Sequence, residues 1–133
     1  MNKILKMAAM AASMAFVGAA PALAEGDAAA GKAVFNQCKA CHQVGPEAKS
    51  GVGPVLNGIV GRKAGEYPGY NYSDANKGSG ITWDEATLKE YLTDPKAKVP
   101  GTKMIFPGIK RENQLDNLIA FLKLIKADGT GIE

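Results

Sequence analysis

Histidine and cysteine are scarce in this sequence: 133 residues hold one histidine, His42, and two cysteines, Cys38 and Cys41. That scarcity excludes much. A structural zinc site takes four ligands, usually as two separated pairs, and the chain has no second Cys or His pair. A disulfide framework is out of reach too, because the single possible bridge would close only a tiny loop. A thioredoxin-like dithiol expects a βαβ setting, and no run of residues alternates convincingly as strands do. Excess charge of one sign is also lacking. Sixteen Lys and Arg stand against thirteen Asp and Glu, a formal net charge of +3, short of the clear basic excess of a nucleic-acid binder. After residue 24 there are no internal repeats, no low-complexity segments and no apolar run long enough to span a bilayer.

The N-terminus has a pattern of its own. Lys3 and Lys6 precede an apolar stretch from about Met7 to Ala20, broken by Ser13 and Gly18, and Ala22-Leu23-Ala24 follows as a cleavage signal. This is the layout of a secretory signal peptide. A membrane anchor is the competing reading, but the stretch falls short of the roughly 20 apolar residues that a span requires. We therefore expect a cleaved signal over residues 1–24, one domain over residues 25–133, and export to the periplasm. Lys3 and Lys6 leave with the signal, so the mature chain carries a net charge of +1. Within it, Lys96, Lys98, Lys103, Lys110 and Arg111 crowd together with no acid among them, while acids are denser at Asp74, Asp84, Glu85, Glu90 and Asp94. That distribution reads either as a charge dipole or as an ordinary solvated surface.

The mature chain reads as short helices between loops rich in Gly and Pro, an all-α class. Asp27 is a good N-cap residue for a first helix running to about Cys38. Val34, Cys38 and Cys41 share one stripe of it, and Gly31 inside it suits a close helix crossing. Residues 45–69 hold seven glycines and three prolines, an irregular stretch too long to lack a packing partner. Ser73 suits a cap for one turn through Asn76. Thr82-Trp83-Asp84-Glu85 has the form of a capping box, opening a helix with Leu88, Tyr91 and Leu92. Asp94-Pro95 starts another short helix, which Pro100 ends. Leu115, Leu118, Ile119, Leu122 and Ile125 trace the face of a last helix, with Asn113 and Asp116 as candidate caps and Gly129 as its stop.

Cys38-Lys39-Ala40-Cys41-His42 carries the chemistry. C-x-x-C-H is the attachment sequence of c-type haem. Two thiols at this spacing can each add to one vinyl group, and the following imidazole then supplies a nitrogen to the iron, which it suits well. The partner opposite His42 decides the function. An open iron binds gases or peroxide, whereas a second strong ligand closes the site and favours electron transfer. With no other histidine, a methionine thioether is the best candidate, and His/Met ligation raises the potential. Met1, Met7, Met10 and Met14 lie in the signal, leaving Met104 as the single methionine of the mature chain. It sits in a Gly/Pro loop rather than on an apolar helical stripe. Gap-filling in the core is the usual alternative for a methionine.

Several segments together resemble a class I c-type cytochrome, close to the bacterial cytochrome c2 and mitochondrial-like cytochrome c group, over nearly all of residues 27–127. They are the haem pentapeptide, Gly53-Pro54-Val55-Leu56-Asn57-Gly58 with Gly61-Arg62-Lys63, residues 69–76, Ile81-Thr82-Trp83, Glu90-Tyr91-Leu92 and residues 100–106. The resemblance implies a small fold wrapped around one covalent haem c, with first and last helices crossing at Gly31 and Phe121. It implies Met104 as the second iron ligand and the Pro54 carbonyl as acceptor for the His42 ring N–H. Arg62, Tyr72 and Trp83 would hold one haem propionate, with Tyr70 reaching the outer one. Tyr91, Asn76 and Thr102 would form a buried polar cluster near the Met104 sulfur. Phe106 would flank the exposed haem edge, and Lys39, Lys96, Lys98, Lys103, Lys110 and Arg111 would ring it and steer acidic partners. Two features depart from the mitochondrial pattern. Gln37 stands where a docking lysine is usual, and the segment between Gly31 and Cys38 is one residue shorter.

The function these features imply is a periplasmic one-electron carrier, monomeric and not an enzyme. It would shuttle between redox complexes such as a bc1 complex and an oxidase or a photosynthetic reaction centre. A haem enzyme or sensor would need an open iron and a further catalytic side chain. A permanent electron-transfer subunit of a dehydrogenase would need a larger apolar contact patch.

Overall fold

The computed structural model describes residues 26–132. The expected signal, residues 1–24, lies outside the described residues. Among the described residues five α-helices follow one another: α1 (Ala28–Phe35), α2 (Asp74–Lys77), α3 (Glu85–Thr93), α4 (Pro95–Lys98) and α5 (Glu112–Leu124). A single 3-10 turn, Asn36–Cys38, extends α1 toward the haem pentapeptide. No strand occurs among the described residues; Lys63 and Thr82 form an isolated antiparallel bridge. No helix among them is long and apolar enough to cross a membrane.

The helix starts follow local chemistry. Asp27 caps α1 by accepting from Ala29 N and Ala30 N, filling acceptors that the first helical turn lacks. Ser73 caps α2, and Asp94 caps α4 ahead of Pro95, as expected. At α3 the cap differs from expectation. Asp84, not Thr82, accepts from Thr87 N at 2.7 Å, because the residues on either side of Thr82 are held extended, Trp83 N donating to Arg62 O and Ala64 N to Ile81 O. The last helix also differs. It begins at Glu112 behind Arg111, with no side-chain cap, and ends at Leu124. Neither Asn113 nor Asp116 caps it, and Gly129 closes a later turn by donating to Lys126 O. Ile125 leaves the helix because its carbonyl accepts from Gly58 N.

The core forms where α1 crosses α5. A Cβ added to Gly31 would lie 1.8 Å from Asn117 O and 2.9 Å from Phe121 Cβ, so only a glycine lets the two backbones approach this closely. Phe35 and Phe121 pack ring on ring with centroids 5.3 Å apart. Leu115, Leu118 and Leu122 of α5 join Leu88, Tyr91 and Leu92 of α3 in the same cluster. Each such side chain contributes about 1.5–3 kcal/mol by leaving water. Lys89 of α3 bridges to Glu112 and Asp116 of α5, and Lys123 to Glu85; these exposed pairs add little.

Candidate cofactor site

One cavity of about 340 Å³ opens beside this core, within the usual range of about 300–1,000 Å³ for small-molecule and cofactor sites. Cys38, Cys41 and His42 line one side, and Met104 lines it as well. Phe35, Leu56, Ile59, Leu92, Leu118 and Leu122 supply an apolar floor. Gln37, at the departure from the mitochondrial pattern, stands at the wall too. No Asp or Glu side chain lines the cavity, and no cluster of three or more His, Cys, Asp or Glu gathers among the described residues.

The geometry suits the two thiols and the imidazole to distinct tasks. Both cysteines are unbridged. Burial, reinforced by the neighbouring Cys41, pushes the Cys38 thiol up to about 11. That is the opposite direction from the lowered value of a reactive dithiol. His42 Nδ1 lies 2.7 Å from Pro54 O. A carbonyl only accepts, so Nδ1 carries the proton and donates, which leaves the lone pair on Nε2. Burial holds the imidazole below its ordinary value, outweighing the Pro54 carbonyl, which favours the protonated ring. A neutral imidazole with a fixed tautomer is the form that binds a metal.

The polar wall is partly as expected. Tyr91 and Thr102 hydroxyls are 2.9 Å apart, and Met104 N donates to Thr102 Oγ1 at 3.3 Å. Thr102 thus links the Tyr91 ring to the methionine backbone. Asn76 stands apart from this pair: its Oδ1 is buried without a hydrogen-bond partner. Buried polar atoms are normally paired, and this acceptor is left over on the cavity wall. Tyr72 accepts from Tyr67 N at 3.2 Å and keeps its own proton to donate. Tyr70 instead donates to Val52 O at 2.8 Å and packs edge-on to Tyr72. Trp83 is buried against Tyr91, with ring centroids 4.8 Å apart. Arg62 donates to Asn57 O and Val55 O and lies over the Tyr67 ring.

The six basic residues expected around the opening are not equivalent. Lys98 pairs with Glu90 at 2.5 Å. Lys103 donates to Asn71 O and lies over Tyr70, and Lys110 donates to Thr93 O. Lys39, Lys96 and Arg111 are exposed, as are Lys103 and Lys110. Phe106 is half-buried at the cavity wall, while Val52 and Ile105, both unexpected from the sequence, expose most of their apolar surface at its rim.

These residues fit a covalent haem: two thiols, one neutral imidazole and one thioether in an apolar cavity with polar groups along part of its wall. The cytochrome c family profile matches residues 28–126. The chain belongs to the cytochrome c family. It is 59% identical over 128 residues to cytochrome c-554 of Methylosinus trichosporium, covering 96% of this chain and 97% of that one. It is 61% identical over 105 residues to cytochrome c2 of Rhodoblastus acidophilus, covering 79% and 98%. Among solved structures it is similar to cytochrome cH from Methylobacterium extorquens, with a TM-score of 0.70 and 61% identity over 74% of this chain and 98% of that one. Its cofactor is one covalent haem c, and its task is electron transport rather than catalysis.

Two residues of the segment Gly53 to Gly58 have site contacts that the sequence does not assign. The backbone of Gly53 faces the His42 ring, and Asn57 is buried.

Proposed function

We propose that this chain is a periplasmic one-electron carrier whose haem iron is held between His42 Nε2 and Met104 Sδ. Cys38 and Cys41 would form the two thioether links. When bound, haem c supplies a reversible one-electron couple between ferric and ferrous iron.

The chain's own residues serve that couple. Pro54 O holds the His42 tautomer and raises the basicity of the ring. Thr102 and Tyr91 anchor the backbone that carries Met104. Tyr72 and Trp83 would donate to propionate oxygens, and Arg62 adds a positive charge nearby. The apolar floor from α1 and α5 keeps water away. Lys39, Lys96 and Arg111 remain at the surface to steer an acidic redox partner toward the opening, where Val52 and Ile105 offer apolar contact. The partners would be membrane or periplasmic redox complexes, met transiently by a monomer after loss of residues 1–24.

The observation that carries this reading is the convergence of Cys38, Cys41, His42 and Met104 on one cavity, with His42 Nδ1 committed to Pro54. A spectroelectrochemical titration of the purified protein tests it. The expected result is a single reversible wave fitting one electron, with low-spin spectra in both states. A high-spin ferrous form that binds carbon monoxide rapidly would refute the closed site.

A further inference from the structure

Behind the His42–Pro54 contact lies a second, reciprocal one. Asn57 Oδ1 accepts from Gly45 N at 2.9 Å, and its Nδ2 donates to Gly45 O at 2.8 Å. Among the described residues it is the buried polar side chain of the core. Gly45 follows His42 on one arm of the loop, and Asn57 follows Pro54 on the other. The two arms are tied in sequence: Gly53 N donates to Cys41 O at 2.9 Å, His42 to Pro54 O at 2.7 Å, and Leu56 N to Gln43 O at 3.1 Å. The Asn57–Gly45 pair closes this ladder.

The pair is also fixed from outside. Arg62 donates to Asn57 O at 3.1 Å. On the other side, Gly129 lies against the Gly45 peptide so closely that a Cβ there would sit 2.1 Å from Gly45 C. Neither partner has room to drift. An asparagine amide matches a peptide group, one acceptor and one donor on each, so this side chain suits a backbone clamp.

We propose that Asn57 is a positioning residue for the imidazole of His42. By holding Gly45 it sets the spacing between the two arms, hence the His42 Nδ1–Pro54 O hydrogen bond, hence the electron density on Nε2. The inference rests on the reading of His42 as an iron ligand. A carbonyl accepting from the distant ring nitrogen makes the ligand more basic, and a more basic ligand favours ferric iron. Loosening the clamp therefore raises the potential.

The test uses the haem-loaded protein with Asn57→Ala, Asn57→Asp and, as a control, Asp27→Ala, which removes the cap of α1 far along the helix. The readouts are the potential, the exchange rate of the His42 ring proton by NMR, and the far-red ferric band. Asn57→Ala is expected to shift the potential upward and to speed ring-proton exchange by about tenfold, with the far-red band retained. Asn57→Asp keeps the acceptor for Gly45 N but sets a second acceptor against Gly45 O, so ring-proton exchange should speed at least as much as in Asn57→Ala. Asp27→Ala should lose stability and move none of the three readouts. The inference is overturned if Asn57→Ala matches Asp27→Ala in potential and exchange. If Asn57→Ala does not fold, wild-type values in Asn57→Asp overturn it. A wild-type protein without an iron-shifted His42 resonance would instead refute the ligand reading itself.

Discussion

The imidazole of His42 lies against the backbone of Gly53 so closely that a Cβ on that glycine would sit 2.4 Å from Cε1 and 2.7 Å from Nδ1. The side chain that would bind iron and the residue that precedes its hydrogen-bond acceptor are thus in direct contact. Gly53→Ala should push the ring off Pro54. We expect a lower fraction of purified protein carrying haem, measured by absorbance against total protein, and a loss of about 1–3 kcal/mol from overpacking in what does load. Full loading with an unchanged spectrum would contradict this.

The crossing of α1 and α5 is equally tight, but distant from the iron. Gly31→Val places side-chain atoms where Asn117 O already lies. Urea titration should show a loss of about 1–3 kcal/mol or more, while the visible spectrum of the folded fraction stays as in wild type. A changed spectrum at full folding would show that this crossing reaches the haem.

Much of this architecture is legible in the sequence, and the failures are instructive. Cys38, Cys41 and His42 are readable because cysteine and histidine are scarce and share one pentapeptide, and Met104 because it is the one methionine of five outside the expected signal. The cap at Asp27 and the apolar face of α5 are local patterns and emerge correctly. Thr82 as a cap fails because its neighbours Ile81 and Trp83 are held in the extended bridge by Ala64 and Arg62, partners distant in sequence. Gly129 as a helix stop fails because Ile125 is drawn away to Gly58 first. The basic stretch around Lys98 contains no acid, yet Lys98 finds Glu90 one element earlier. Asn57 is invisible for the same reason: its role depends on Gly45 across a loop, and nothing local announces that contact.

Thr102 joins Tyr91 to the backbone of Met104. Thr102→Val keeps the shape and removes both contacts. We expect a loss of about 1–3 kcal/mol, and the far-red ferric band should disappear at a lower urea concentration than in wild type, before the helices melt by circular dichroism. Coincident transitions at the wild-type midpoint would refute the link.

Asp84 gives a pH dependence with a definite sign. Its hydrogen bonds to Thr87, side chain first and then backbone, hold its carboxyl below the ordinary aspartate value of 3.8. A lowered folded-state value means that its stabilisation is present above 3.8 and is lost as pH falls through the lowered value. Asp84→Ala should therefore be less stable than wild type at neutral pH, with the gap closing below pH 3.8 in denaturation curves taken at several pH values. A gap that widens in acid would reverse the assignment.

The central claim is the closed His42/Met104 iron, and the ferric spectrum of the purified protein tests it most directly. The account predicts a weak far-red band from methionine sulfur on iron, present in wild type and abolished in Met104→Ala, with haem still covalently attached in both. A wild-type spectrum without that band, unchanged by Met104→Ala, would contradict it.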